Sequence, residues 1–225
     1  MADFAVLLKG RSVTLLVIQY AVVILAGYLL GSIPFGYIVG RIKGIDVREY
    51  GSGRTGGTNV LRSAGKLAAA VSIFGDLAKG VIAVLLARSF LGTELAAALA
   101  GVAAVVGHNW PVFIGFRGGA GTGTFMGGFF VLAPIPTIVV GIFSAIVGFV
   151  ALRYASVTSI LICLLMSPAL LIAVLFFDQP LEHLAYALAV GSIILFSHRP
   201  NMRRLLKGAE RRIGEPAKKI VEEEA

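Results

Sequence analysis

Two glycine-rich stretches hold the side chains best suited to chemistry. The first reads Gly51-Ser52-Gly53-Arg54-Thr55-Gly56-Gly57-Thr58-Asn59. The second runs from Gly107-His108 to Thr124, with Arg117, Gly118, Gly119 and Gly121 at its centre. Both combine hydroxyls, amides and arginines, and neither contains a carboxylate. Such loops can expose successive backbone N–H groups to an anion. A helix opening at Thr122–Thr124 would add its own N-terminal N–H groups. Arginines add bidentate contacts to phosphate. The chemistry indicated is phosphate recognition. Glycine-rich turns also serve simply to pack helices, so one loop alone would be weak ground. Two loops are stronger, with Arg62, Arg117 and Arg153 expected at the same end of the molecule. Arg153 to Ser159, including Ser156, and His198-Arg199-Pro200-Asn201 are expected to converge there.

Acid–base groups are few. His108 and His198 fall at the ends of apolar segments, and His183 falls at the opposite end. A histidine in such a place more often ties down a helix terminus than serves as a general base. Asp76 and Lys79 are three apart on one helix face. Charges inside a membrane point to function by default, but a mutually neutralising pair that holds a bundle together is the favoured reading. Asp46 and Glu49 are too few to form a metal cluster. Metal-dependent transfer of a phosphoalcohol is therefore disfavoured, and no metal or cofactor is expected. Ser52 lacks a Gly-x-Ser-x-Gly elbow and an Asp/His partner pattern. It reads as a hydrogen-bond donor to substrate, not as a covalent nucleophile.

The elements that must position these residues are membrane helices. Of 225 residues, 57% are hydrophobic and 14% charged, with mean hydropathy +0.90. Soluble domains average about 45–50% apolar and about 25% charged. The difference excludes a soluble enzyme, a disordered chain and a nucleic-acid-binding domain, despite a net charge of +8. Cys163 is the single cysteine, so no intrachain disulfide or cysteine metal motif is possible. Apolar runs cover Ser12–Val39, Leu67–Arg88, Leu95–Gly107, Thr124–Leu152, Val157–Phe177 and Leu184–Ser197. A span needs about 20 apolar residues. Thr124–Leu152 is therefore either one kinked span or two segments broken at Pro134-Ile135-Pro136.

The distribution of positive charge favours two segments. Cytoplasmic loops carry an excess of Lys and Arg. With seven crossings from an outside N-terminus, the cytoplasmic side collects Arg41, Lys43, Arg48, Arg54, Arg62, Lys66, Arg117, Arg153 and eight bases of the tail, sixteen of the chain's 20. The expected fold is an all-α integral membrane protein of about seven helices, some short or broken, with glycine-rich cytoplasmic loops. Residues 1–197 form the polytopic membrane domain. Residues 198–225 form a charged cytoplasmic tail, helical in part and exposed.

Several stretches together make the chain resemble a known family. They are Gly31-Ser32-Ile33-Pro34-Phe35-Gly36, Gly44-Ile45-Asp46-Val47-Arg48, Gly51-Ser52-Gly53 with Thr58-Asn59-Val60 and Arg62, and Asp76-Leu77-Ala78-Lys79-Gly80. Further on come Gly107-His108-Asn109-Trp110-Pro111-Val112-Phe113, Phe116-Arg117-Gly118-Gly119, Arg153 to Ile160, and His198-Arg199-Pro200-Asn201 with Arg204-Leu205-Leu206-Lys207-Gly208 and Glu210. In order and spacing the chain is similar to the bacterial membrane glycerol-3-phosphate acyltransferases that use acyl-phosphate as donor. The resemblance implies a multi-pass protein of the inner (plasma) membrane, with its C-terminus and site cytoplasmic. It implies acyl transfer from acyl-phosphate to glycerol-3-phosphate, giving lysophosphatidate and phosphate at the start of phospholipid synthesis. No nucleic-acid partner is implied, and the enzyme that supplies acyl-phosphate is a further candidate partner. Ser52 and Arg62 match the family's important serine and arginine, and His198 and Asn201 match polar residues expected near the site; these four are the candidate catalytic residues. Thr58 and Asn59 match polar residues of the first loop, and Gly118, Gly119 and Gly121 match the phosphate-loop glycines; with Gly51, Gly53, Arg54, His108, Arg117 and Ser156 they are the candidate substrate-binding residues. The acyl chain is expected in a groove lined by Gly and Ala.

Two departures stand out. The family's first loop reads Gly-Ser-Gly-Asn-Ile-Gly-Ala-Thr-Asn, whereas this chain has Arg54-Thr55 and Gly57. Its second loop reads Gly-Gly-Lys-Gly-Val-Ala-Thr, whereas here Ala120 replaces the lysine and Thr122-Gly123 follow. Arg54 is expected to supply the missing positive charge from the other loop. A transporter of a phosphate-bearing solute, or a paralogue with altered substrate or lost activity, are the alternatives.

Overall fold

The computed structural model describes residues 12–220. Among these residues ten α-helices follow one another: α1 Val13–Gly31, α2 Phe35–Ile42, α3 Gly57–Ala64, α4 Lys66–Leu91, α5 Glu94–Asn109, α6 Thr122–Leu132, α7 Pro134–Ala145, α8 Ala155–Phe176, α9 Leu181–Ser197 and α10 Arg199–Leu206. A π-helical turn over Ile146–Ala151 extends α7. Five helical stretches are long and apolar enough to cross a membrane: Val13–Ile42, Lys66–Leu91, Glu94–Ile114, Pro134–Ala151 and Ala155–Phe176. The pair α9 and α10, bent by 57°, makes a sixth. The fold is the expected all-helical integral membrane bundle.

Burial is inverted relative to a water-soluble protein. Large apolar side chains such as Phe74, Phe90, Ile135 and Leu175 are exposed, while Ser32, Ser72, Asp76, Lys79, His108 and Thr124 are buried. Apolar surface of that extent is stable only against lipid, where polar groups must find partners inside the protein. Without a hydrophobic driving force between helices, close approach through small residues holds them together. At the α1–α5 crossing, a Cβ on Gly31 would overlap the carbonyl of Ala104. At the α4–α6 crossing, a Cβ on Gly80 would overlap the carbonyl of Thr124. Between α6 and α9, Phe125, Phe129 and Tyr186 form an aromatic core, with Phe129 and Tyr186 centroids 4.6 Å apart.

The disputed stretch Thr124–Leu152 is two segments. Ala133 closes α6, and Pro134, which has no N–H to donate, opens α7. The chain then returns to the end it left. Arg153 and Ile213 exchange hydrogen bonds (Ile213 N to Arg153 O 2.8 Å, Arg153 Nη2 to Ile213 O 3.3 Å). Residues 211 and 212 in turn touch Arg62, in the first loop region. At 11 residues, α6 is only about 16 Å long at 1.5 Å per residue. It is shorter than a span and packs chiefly against α4, with further contacts to α5 and α7.

The polar regions are more ordered than the sequence suggested. The polar, basic stretch from Arg41 to Lys66 contains α3 and a short 3₁₀ turn over Val47–Glu49. The chain beyond α10 is not simply exposed. It folds back on the first loop, with Gly51 N donating to Lys218 O at 2.9 Å and Ala217 N to Arg62 O at 3.3 Å.

Candidate active site

The first loop is folded by one side chain. The amide nitrogen of Asn59 donates to Val47 O (2.8 Å), Tyr50 O (3.0 Å) and Arg54 O (2.9 Å), and its Oδ1 accepts Ser52 N (3.1 Å). Asn59 is buried, so its polar atoms are spent on the loop's own backbone. The Asp46–Arg48 pair, 2.7 Å apart, adds a strut. Arg48 Nη1 donates to Ile114 O at 3.0 Å and ties the first loop to the second.

This scaffold places two helix N-termini on one cavity of about 370 Å³. Gly56, Gly57 and Thr58 at the start of α3 line it, as do Gly121, Thr122 and Gly123 at the start of α6. The first N–H groups of a helix have no intrahelical partner, and the helix dipole adds positive potential there. Gly121 takes a left-handed conformation, φ 91°, to make the turn into α6. Ser52, Arg54, Arg62, His198, Asn201 and Arg204 complete the polar mouth. The floor is apolar: Ile73, Leu77, Met126, Phe149 and Ile162. These side chains are larger than the expected Gly and Ala. Gly80 of α4 and Gly127 of α6 are consumed at the crossing of these two helices instead.

The mouth is rich in positive charge and short of anions. Arg62, on α3, donates through Nη2 to Arg211 O (3.0 Å) and Arg212 O (3.1 Å), while its buried Nε has no partner. Arg54 donates to Ser197 O and, at 3.4 Å, to Asn201 Oδ1. Burial lowers the pKa of both guanidinium groups from its usual value, and the positive charges of Arg204 on Arg54 and of Arg211 on Arg62 act in the same direction. Crowded, partly desolvated cations of this kind favour a bound anion. Both carboxylates that line the cavity are already paired. Asp76 Oδ1 meets Lys79 Nζ at 2.9 Å and His108 Nδ1 at 3.2 Å, and Lys79 also donates to Ile33 O at 3.0 Å. Glu210 accepts from Arg204 Nε at 2.7 Å and from Asn201 Nδ2 at 2.8 Å. The Asp76–Lys79 pair thus has the neutralising role, with His108 as a third member that sequence spacing could not reveal.

His198 is buried at the bend between α9 and α10. Its Nδ1 lies 2.8 Å from Ile194 O. A carbonyl only accepts, so Nδ1 carries the proton and Nε2 is the acceptor of the neutral ring. Ser156 Oγ, Thr158 Oγ1 and Thr122 Oγ1 are buried without partners, and all three residues line the cavity. Of these, only Ser156 is singled out by sequence as a site side chain; Thr122 enters there as a helix start and Thr158 only within the stretch from Arg153 to Ser159. Among the described residues no three His, Cys, Asp or Glu side chains come together to hold a metal.

The structure therefore gathers Ser52, Arg54, Thr58, Asn59, Arg62, His108, Gly121, Ser156, His198 and Asn201 around one cavity. Arg117, Gly118 and Gly119 line a separate one with Gly53, Arg199 and the other side of Arg54. The N–H groups of Gly118 and Gly119 are spent on Asn109 O (3.2 Å) and His108 O (3.0 Å). They pack the second loop onto the end of α5. Gly51 lines neither cavity; its N–H is taken by Lys218.

A cationic mouth with two helix N-termini above an apolar floor suits a phosphate joined to a hydrocarbon chain. Comparison with known proteins agrees. Residues 21–208 match the family model described as glycerol-3-phosphate acyltransferase. A glycerol-3-phosphate acyltransferase of Rubrobacter xylanophilus is 45% identical over 193 residues, 85% of this chain and 94% of that one. Two crystal structures of the integral membrane glycerol 3-phosphate acyltransferase PlsY are similar at 36% identity. The glycerol 3-phosphate form has a TM-score of 0.79, covering 87% of this chain and 96% of that one. The lysophosphatidic acid form has a TM-score of 0.77, covering 87% and 95%.

Proposed function

The chain belongs to the glycerol-3-phosphate acyltransferase family, and we propose that its cavity transfers an acyl group from acyl-phosphate to glycerol-3-phosphate, releasing lysophosphatidate and phosphate. The observation that carries this reading is the meeting of two helix N-termini and two arginines that form no ion pair among the described residues, above an apolar floor. The cationic mouth suits both phosphates, and the floor suits the acyl chain.

An acyl-phosphate is a mixed anhydride, already activated, so positioning and charge stabilisation can supply most of the catalysis. The glycerol hydroxyl oxygen attacks the acyl carbon. The new C–O ester bond forms, the acyl C–O bond to phosphate breaks, and its electron pair leaves with the phosphate. Arg62, Arg54 and the N–H groups at the starts of α3 and α6 hold the phosphate oxygens. Ser52, Asn201 and Ser156 orient them. Both lining carboxylates are paired, so the hydroxyl proton passes to the leaving phosphate, with His198 Nε2 as the alternative acceptor. Arg54 lines the same cavity as Ala120 and supplies the charge that Ala120 lacks.

The site faces the cytoplasm of the plasma membrane, with the N-terminus outside and the C-terminus inside. The support is that the segments carrying Arg48, Arg54, Arg62, Arg153 and the chain after 198 touch one another at one end. Residues 198–220 close over the membrane domain of residues 1–197, and the enzyme that supplies acyl-phosphate docks at this end. The test is purified protein in detergent with both substrates. Phosphate release that needs acyl-phosphate and glycerol-3-phosphate together supports the reading. Release independent of glycerol-3-phosphate, or none, overturns it.

A further inference from the structure

Four side chains form a relay across the mouth of the cavity. Arg204 Nε donates to Glu210 Oε2 at 2.7 Å. Asn201 Nδ2 donates to Glu210 Oε1 at 2.8 Å. Arg54 Nη1 donates to Asn201 Oδ1 at 3.4 Å. The Glu210 side chain is only 5% exposed. It comes from the returning chain beyond α10, whereas Arg54 comes from the first loop. A carboxylate only accepts, so Glu210 obliges the Asn201 amide to present nitrogen toward Glu210 and oxygen toward Arg54. With the amide turned the other way, two donors would face each other across the Arg54 contact.

We propose that Glu210 is a positioning residue for the phosphate site, acting through the orientation of Asn201 to hold the Arg54 guanidinium in the cavity. This rests on the acyl-transfer reading above. It runs against simple electrostatics. A carboxylate beside Arg54, Arg62 and Arg204 weakens the attraction of the mouth for an anion, so removing it should tighten phosphate binding if charge alone counted. If Glu210 positions Arg54, removing it loosens binding instead. The two roles differ in the sign of the effect.

The experiment is steady-state kinetics on folded wild-type, Glu210→Ala, Glu210→Gln, Arg54→Ala and Glu210→Ala/Arg54→Ala proteins, with glycerol-3-phosphate affinity measured in parallel by calorimetry. Glu210→Ala raises the KM for glycerol-3-phosphate about tenfold and changes kcat less than about threefold, since positioning a ground-state contact acts on binding. Glu210→Gln retains an oxygen acceptor for Asn201 and keeps KM within about threefold of wild type, although the Arg204 ion pair is lost. In the Arg54→Ala background, Glu210→Ala adds less than about twofold, because the two residues act as one unit. If Glu210→Ala does not fold, Glu210→Met, of similar length and without an acceptor, takes its place. A lowered or unchanged KM in the Ala or Met variant, damage by Gln equal to that by Ala, or fully multiplicative effects would each overturn the proposal. A wild-type protein without turnover would count against the acyl-transfer reading, and the calorimetric affinities of the same variants would still decide the role of Glu210.

Discussion

The side-chain oxygen of Asn59 accepts the backbone N–H of Ser52 at 3.1 Å, while its nitrogen holds three carbonyls of the same loop. One buried amide therefore fixes the position of the serine and of Arg54 on either side of it. Asn59→Asp replaces the donors by a carboxylate facing three carbonyls. A buried group left unsatisfied costs about 1–3 kcal/mol. The expected outcome is a lowered melting temperature and a loss of activity of about 100-fold or more, with faster amide exchange across the whole stretch from Val47 to Arg54 by mass spectrometry. Wild-type exchange across that stretch would show that another contact holds the loop.

The arginine of α3 is held by geometry as well as charge. Arg62 Nη2 reaches two carbonyls of the returning chain while its Nε stays unpartnered. Lysine keeps the charge and loses the planar fork. Arg62→Lys is expected to lower kcat/KM for glycerol-3-phosphate by about 100-fold and leave the fold intact, as read by kinetics and size-exclusion chromatography.

The buried charges of α4 have a structural consequence. Asp76→Asn leaves Lys79 buried and facing a neutral amide. Breaking a buried pair by changing one partner costs about 3–5 kcal/mol, whereas replacing both by apolar groups is often far less costly. Asp76→Asn should therefore melt at a lower temperature than Asp76→Leu/Lys79→Met, which is checked by thermal unfolding in detergent.

The pH dependence of the loop clamp has a definite sign. The side-chain hydrogen bond from Arg48 is the largest cause holding the Asp46 carboxyl below its usual pKa. The folded value lies below the unfolded one, near 3.9. The pair therefore adds stability above that unfolded value and loses it as pH falls through the folded value. Acidification from pH 6 to 3 should lower the melting temperature less in Asp46→Asn than in wild type.

Much of this was legible in the sequence, and the misses have physical causes. The spans follow from apolar run length, and the break at Pro134 from the missing N–H and the balance of positive charge. Arg54 and Arg62 lie in or just after a carboxylate-free, glycine-rich loop and His198 and Asn201 lie just past the last apolar run, and the structure brings all four to one cavity. His108 could not be joined to Asp76 and Lys79 from spacing, because α4 and α5 meet only in three dimensions. Gly118 and Gly119 read as an anion nest, but their N–H groups close the second loop on α5. The packing of Glu210 into the mouth was hidden because a charged C-terminal segment reads as solvated until its partners are known.

The central claim is that the arginine-lined cavity performs acyl transfer, with Arg54 supplying the charge absent at Ala120. The most direct measurement is lysophosphatidate formation, followed by mass spectrometry, for wild-type and Arg54→Ala proteins of equal thermal stability in the same detergent. Wild type should give product only when both substrates are present, and Arg54→Ala should have at least about a 100-fold lower kcat/KM, of the order seen when one anion-stabilising donor is removed. Full turnover by Arg54→Ala would contradict it.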